Sequence, residues 1–452
     1  MPEAVTAEFA ADLPRPPMPA RLRSQLESFL VLRRNPLELW GELAYQADIL
    51  PGRFLGREQV MLNAPDAIRH VLVTNAGNYG RNIGTIRVLQ PVLGAGLFLA
   101  EGAAWRHQRR TIAPAFTPRT MPILAGHVIA ACSTWEETLP TSRGVELLPL
   151  LQRLALTIAA QSMFSLEMGR FGTELRAILL EYAMKFARPG FLDLLLPADM
   201  RSPLDRGRAA FRARWLRLID GVIDARERQG QPDGTPRDLF DMLAAARDPE
   251  TGAAFSRAQL RDEVSTMILA GHETTAVLLF WACFIAARMP AQQERLAREA
   301  AAGTEQPAIR AHLDETLRLY PPAFLIVREA RGPDEIAGRR IAPGTVVSIS
   351  PWVLHRHRRY WREPDRFDPA RFAPDAPPPE RFAYLPFGAG PRICVGAQFA
   401  LTEASIVLAR LLRRFRLEVV GGRDVLPRAF VTTQPDRPVR FLLTPRGRGC
   451  QA

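Results

Sequence analysis

One cysteine of this chain stands in a setting that can do redox chemistry. The stretch Phe387-Gly388-Ala389-Gly390-Pro391-Arg392-Ile393-Cys394-Val395-Gly396 has two glycines that allow a tight turn and close backbone approach to a flat ligand. Pro391 then stiffens the loop, and Cys394 falls just ahead of an apolar helical pattern beginning at Gly396. Backbone N–H groups and the dipole at a helix N-terminus stabilise a thiolate, and Arg392 adds a positive charge suited to a carboxylate. A thiolate held this way can be the axial ligand of a haem iron, pushing electron density toward O–O cleavage. The plainer alternative is a buried structural cysteine. Cys132, Cys283 and Cys450 are read that way, since no C-x-x-C pair occurs.

Three further groupings carry charge in unusual places. Ala270-Gly271-His272-Glu273-Thr274-Thr275 puts an acid and a hydroxyl inside an apolar run, a costly placement without partners. Gly271 lowers helix stability by ~1 kcal/mol relative to alanine and lets a ligand approach the backbone. Either the pair bonds back to helix carbonyls or it handles protons. Glu315-Thr316-Leu317-Arg318 sets opposite charges three apart on one helix face, worth only ~0.2–0.5 kcal/mol if exposed. In Trp105-Arg106-His107-Gln108-Arg109-Arg110, Trp105 and Arg109 lie one helical turn apart; on their own they describe a partly buried amphipathic turn.

The elements that must position these groups are mostly helices. The pattern predicts helix over Arg21–Ala47, a short strand pair over 52–62, and helices separated by Pro and Gly breaks over most of 100–320. Among them are 147–168 and a pair over 172–220 broken at Pro189-Gly190 and Pro197. Ser256-Arg257-Ala258-Gln259 has the capping-box pattern and opens a long apolar helix that Pro290 ends. A helix over 306–319 follows, then short strands over 323–350 with turns at Gly338 and Gly344. The stretch 361–391 reads as an ordered meander, Gly396–Phe415 as a helix, and 416–420 and 438–444 as strands. The fold class expected is mainly α with a small β portion.

Composition bounds the rest. The chain has 452 residues, 47% apolar and 23% charged, a globular balance. It can bury well over ~70% of its unfolded surface without disulfides or a structural metal, although length alone suggests about three domains. Net charge is +12, almost all from arginine, as Lys185 is the only lysine. The arginines are scattered and accompany no finger, basic zipper or RNA-binding motif, so no nucleic-acid partner is expected. A basic surface does steer acidic protein partners. Met1–Ala20 lacks the basic start and apolar stretch of a signal peptide, which predicts a cytoplasmic protein without a membrane anchor. Val264–Ala287 reaches membrane-spanning length, but His272 and Glu273 near its middle are costly in lipid; a central helix buried on all sides fits better. No repeat, Walker A sequence or dinucleotide-binding glycine pattern is present.

The cysteine segment resembles the haem-binding loop of the cytochrome P-450 superfamily, F-G-x-G-x-R-x-C-x-G, at every fixed position. The other segments are similar, in family order, to its W-x-x-x-R, its oxygen-activating A/G-G-x-D/E-T-T and its E-x-x-R. The resemblance implies a single haem domain over 21–445 with a long central helix over the haem, a flexible tail at 1–20 and another at 446–452. It implies haem b (iron protoporphyrin IX) with Cys394 as metal ligand. Phe387, Gly388, Arg392 and Gly396 then form the loop against the haem, with Arg392, Trp105, Arg109 and, by position, Arg328 on its propionates. Glu273 and Thr274 become the proton-delivery pair. Glu315, Arg318 and Arg371, the last in Pro369-Ala370-Arg371-Phe372, become a structural triad; Ala370 stands where the family often has Glu. The implied reaction is insertion of one oxygen atom of O2 into an apolar substrate such as a fatty acid or terpenoid. Pocket segments are expected at Tyr79–Leu99, 172–200, Ala323–Ile326 and Phe430–Thr433. Electrons are expected from a separate ferredoxin or flavodoxin with its reductase. That partner would dock on a basic face made of Arg106, Arg109, Arg110, Arg410, Arg413, Arg414 and Arg416. Two rival readings use the same haem: a peroxygenase or oxidative-coupling enzyme, and a non-enzymatic haem or gas-binding protein.

Overall fold

The computed structural model describes residues 13–447 apart from 22, 142, 166–168, 197–199, 231–234, 304–305 and 422–424. Cys450 and Pro197 therefore lie outside the described residues, as do 1–12 and 448–452 of the two expected tails.

The organising element is the helix Arg257–Arg288, about 48 Å long at ~1.5 Å per residue. Its start is fixed locally: the Ser256 side chain accepts from the Gln259 amide and the Gln259 side chain accepts from the Ser256 amide. Met289 breaks from helical geometry before Pro290. From Ala276 to Ala286 no residue is more than 3% exposed, which explains an apolar character all round the helix. Packed around that half are the helices Leu147–Phe164 and Ala397–Arg414 and the strand Phe415–Val420. Ile83–Leu93 and Asp205–Arg228 also pack against the long helix. This helix and Leu147–Phe164 are long and apolar enough to cross a membrane, and more than half of each such window is buried inside the protein.

The β portion is small. One mixed sheet has the strand order Ile49–Phe54, Arg57–Leu62, Val346–Ile349, Ile326–Ala330, Tyr79–Gly80. Arg57–Leu62 and Val346–Ile349 run parallel and the other neighbours antiparallel. Gly80 pairs with Glu329, which brings Arg81 beside the strand carrying Arg328. A hairpin of Pro427–Ala429 and Thr433–Pro435 reaches the long helix, since Trp281 Nε1 donates to Thr433 O at 2.7 Å.

The structure departs from the sequence reading in four places. Arg21–Ala47 holds one helix, Gln25–Arg34, and then two 3-10 turns. Asn35 precedes proline and is extended there (φ −159°), as residues before proline prefer, while its side chain accepts from the Leu37 amide. Over 169–228 there are three helices, Gly169–Lys185, Phe191–Leu195 and Asp205–Arg228, in place of two. Residues 13–20, expected as part of a flexible tail, lie against the core: Leu13 and Met18 pack on it and Tyr320 Oη donates to Pro14 O at 2.8 Å. At the other end Arg446, placed in the C-terminal tail, donates to both Glu294 oxygens and to Leu412 O.

Candidate active site

The Cys394 loop is built by its glycines and one long hydrogen bond. Gly390 has φ +72°, and a methyl group there would stand 2.0 Å from Leu72 O, so only glycine fits. Gly388 also has φ +72°, yet a methyl there would touch only Ile326 Cδ1 at 4.0 Å; the loop leaves room on that side. After the 3-10 turn Gly390–Arg392, the Cys394 amide donates to Phe387 O at 3.0 Å, closing the loop. Phe387 packs on the main core. Gly396 is the N-cap of Ala397–Arg414, and its amide donates toward the Cys394 sulfur.

Cys394 is reachable by solvent, and Ile393 beside it is 42% exposed. Burial nonetheless pushes the thiol above its ordinary value, opposed by the Gly396 amide and the Arg109 charge. Cys394 is thus solvent-accessible and closely surrounded at once. The long helix meets open space too: Ala270 is exposed between buried turns, and a methyl on Gly271 would meet no atom within 4 Å.

Guanidinium charge collects near the loop. Arg392 Nη2 donates to Glu101 Oε2 at 2.7 Å and to Ala100 O at 2.9 Å, and its guanidinium lies 4.7 Å from the Trp105 ring centroid. Its Nη1 is buried without a partner. Arg328 is 8% exposed and, among the described residues, donates only to Val327 O. Burial and the nearby Arg392 push it down to about 10, against the pull of Glu101. Arg81 is pushed well below its ordinary value by burial and by Arg328 and Arg392. Arg331 donates to the same Glu101. Arg392 and the half-exposed Arg331 bond Glu101, while the guanidinium groups of Arg81 and the buried Arg328 lie near it without bonding it; this surplus of cations over carboxylates suits a ligand bearing two carboxylates, which haem b does. Arg109 donates to Ile393 O at 3.0 Å and is pushed down by burial, opposed by Cys394; it sits on the cysteine loop. Sequence reasoning missed Arg81 and Glu101. No motif marks them, although Arg81 falls in the expected pocket segment Tyr79–Leu99.

Glu273 and Thr274 are neighbours on the long helix but face different partners. Thr274 Oγ1 donates to Ala270 O at 2.8 Å, the back-bonding arrangement, and keeps lone pairs that can accept. Glu273 accepts from Gln152 Nε2 at 3.3 Å, from Thr432 Oγ1 at 3.4 Å and from Gln434 Nε2. His272 Nε2 lies 3.6 Å away. The carboxylate is therefore clamped between the helix Leu147–Phe164 and the hairpin, and these partners were not legible as a motif.

The loop between Ile83–Leu93 and Gly102–Ile112 is pinned to the long helix. The Ala95 amide donates to Asp262 at 2.8 Å and the Leu97 amide to Glu263 Oε2 at 3.1 Å. Glu263 Oε1 is buried without a partner, and burial pushes this carboxyl up to about 8, against the Leu97 amide. A raised carboxyl favours the folded state while protonated and loses that contribution as pH rises from its ordinary range to about 8. Glu263→Gln is thus expected to melt near wild type at acidic pH. Its advantage in melting temperature should grow up to about pH 8 and level off above it. Parallel pH profiles for the two proteins would refute this.

The expected basic docking face is partly neutralised. Arg110 bonds Asp248, Arg410 bonds Glu136, and Arg414 and Arg416 lie 3.7 and 3.4 Å from Glu136 and Glu418. Arg106 and Arg413 are exposed.

Comparison with known proteins gives consistent results. The family model described as cytochrome P-450 matches residues 44–442. Cyclooctatin synthase of Streptomyces melanosporofaciens is 32% identical over 92% of this chain and 93% of its own length. Cyclooctat-9-en-7-ol 5-monooxygenase of the same organism is 29% identical over 87% of each. Pentalenene oxygenase of Streptomyces avermitilis is 29% identical over 92% of this chain and 95% of its own. The crystal structure of the cytochrome P-450DA heme domain superposes with a TM-score of 0.76, at 24% identity, over 98% of this chain and 100% of that one.

Proposed function

The chain belongs to the cytochrome P-450 family, a haem-thiolate monooxygenase, and on that footing we propose that it inserts one oxygen atom of O2 into an apolar cyclic terpenoid. The observation that carries the residue assignment is the joining of an accessible Cys394 with a surplus of buried guanidinium charge. The substrate class is supported by relatives named for cyclooctat-9-en-7-ol and pentalenene. It is supported also by apolar side chains in the expected pocket segments, among them Phe98, Leu194, Phe324, Leu325 and Phe430.

Haem, when bound, supplies the activation of O2 and the oxygen insertion. Cys394 would hold its iron through Sγ, with the Gly396 amide and Arg109 favouring the thiolate. Arg81, Arg328 and Arg392 would meet its carboxylates, with Trp105 stacked on Arg392. Thr274 would accept a proton at Oγ1 and pass it on, and Glu273 would supply protons from its clamp. Electrons would come from a separate ferredoxin or flavodoxin with its reductase. Arg106 and Arg413 would guide an acidic partner, and the location would be cytoplasmic.

Thr274→Ala tests the proton path. With a surrogate ferredoxin and reductase, NADH consumption should continue while the fraction of electrons recovered in product falls by on the order of tenfold or more, the remainder appearing as peroxide. Unchanged coupling would remove Thr274 from the mechanism.

A further inference from the structure

Three elements meet beside the hairpin tip. Arg188 lies in the turn between Gly169–Lys185 and Phe191–Leu195, and its guanidinium is 3.7 Å from the Phe430 ring centroid. Arg428 lies 4.4 Å from the same ring and donates through Nε to Arg34 O at 2.9 Å. Arg33, at the end of Gln25–Arg34, is close enough to repel Arg188. Phe29 and Phe191 meet edge to face at 5.2 Å, and the Ala429 amide donates to Asn35 Oδ1 at 3.0 Å, so the three elements are tied together.

Two cations on one ring with a third nearby repel one another, and a ring quadrupole offsets little of that. Among the described residues no salt bridge engages any of the three, and Arg188 Nε is buried without a partner. Burial, Arg428 and Arg33 all push Arg188 down, and no carboxylate opposes them. Arg33 is exposed and Arg188 and Arg428 are only partly buried, so an anion can reach the group, and its charge would offset their mutual repulsion.

The position says which anion. Phe430 stands two residues before Thr432, which bonds Glu273 on the long helix, next to Thr274. The same hairpin therefore reaches both the arginines and the oxygen-activating segment. We propose that Arg33, Arg188 and Arg428 form a carboxylate-recognition site around Phe430, and that the substrate is an apolar body carrying one carboxylate. This rests on the monooxygenase reading and narrows its substrate class. Arg188 and Arg428 act as binding residues, donating to the carboxylate while the apolar part extends toward the haem.

Matched acid and alcohol probes test it: dodecanoic acid against 1-dodecanol, and abietic acid against abietinol, each titrated into the haem-loaded protein and followed by the spin-state shift. In at least one pair the acid should bind about tenfold or more tightly than the alcohol, and the gap should shrink in high salt. The double variant Arg188→Gln/Arg428→Gln should lose the gap while keeping the alcohol affinity, and Arg188→Lys/Arg428→Lys should restore part of it. An equal response to acid and alcohol, no acid response in wild type, or a gap that survives in the glutamine variant would overturn the site. The spectrum of the reduced protein with CO, recorded on every variant, reports folding and the haem-thiolate reading separately.

Discussion

Replacing Cys394 by serine is expected to abolish the red-shifted absorption band of the reduced, CO-bound protein and to cut product formation by on the order of a hundredfold or more. The substitution changes one atom and leaves the loop its supports. The backbone bond from the residue 394 amide to Phe387 O, the turn at Gly390 and the helix beginning at Ala397 do not depend on sulfur. A fold-wide explanation of the loss is thereby removed, and circular dichroism should match wild type. The other described cysteines give the contrast. Cys132 and Cys283 are buried, and burial pushes both thiols up to about 12, so they stay protonated and inert. Cys283 has no group opposing that burial, whereas Cys394 has an amide, a guanidinium and access to open space. Cys132→Ser and Cys283→Ser should keep the CO band. A band that persists in Cys394→Ser, or is missing from well-folded, haem-loaded wild type, would overturn the ligand assignment.

What was legible in the sequence was what is made locally. The Ser256 capping box, the glycines of the cysteine loop and the break at Pro290 each specify geometry within a few residues, and each appears in the structure where its residues stand. The groups assembled through space were harder to read. Arg81 joins Arg328 because Tyr79–Gly80 adds to the edge of a sheet whose neighbouring strand lies some 250 residues away in the chain. Glu273 could be recognised as an acid in an apolar helix, but its clamp comes from Gln152, Thr432 and Gln434, on two other elements. The docking face illustrates the same gap. Counting arginines overstated its charge, because Arg110 and Arg410 meet Asp248 and Glu136 from distant segments. The stretch 13–20 reads as a tail because its four prolines suppress helical periodicity. An extended segment can still be held by a few apolar anchors such as Leu13 and Met18.

Arg318→Ala is expected to prevent accumulation of folded, haem-loaded protein. An exposed pair of this spacing is worth only ~0.2–0.5 kcal/mol, but Arg318 and Glu315 are both 0% exposed, and burial reverses the estimate. Arg318 donates to both Glu315 oxygens at 2.7 Å and to the carbonyls of His355, Pro364 and Arg366 at 2.6–2.8 Å. Glu315 also accepts from the Asp368 amide at 2.7 Å, with Arg371 at 3.6 Å. Removing the guanidinium leaves a buried carboxylate, at a cost of about 3–5 kcal/mol, and strands three carbonyls. That loss rivals the ~5–15 kcal/mol stability of a typical domain. It also reaches the cysteine loop. Burial and the Arg318 charge push His355 down to about 3, so its ring is neutral and bridges in one sense only. Nδ1–H donates to Arg318 O at 3.2 Å, and Nε2 accepts from the Leu385 amide at 2.8 Å. Leu385 stands two residues before Phe387, whose carbonyl holds Cys394. Arg318→Lys should fail as well, because an ammonium cannot reproduce the planar fork that meets one carboxylate and three carbonyls together. His355→Gln should fold more nearly like wild type but bind haem less firmly, since it disturbs only the link. Soluble yield, haem content and urea midpoints separate these outcomes. Wild-type haem content with a midpoint shift worth less than about 1 kcal/mol in Arg318→Ala would show that the buried fork does not hold the cysteine loop in place.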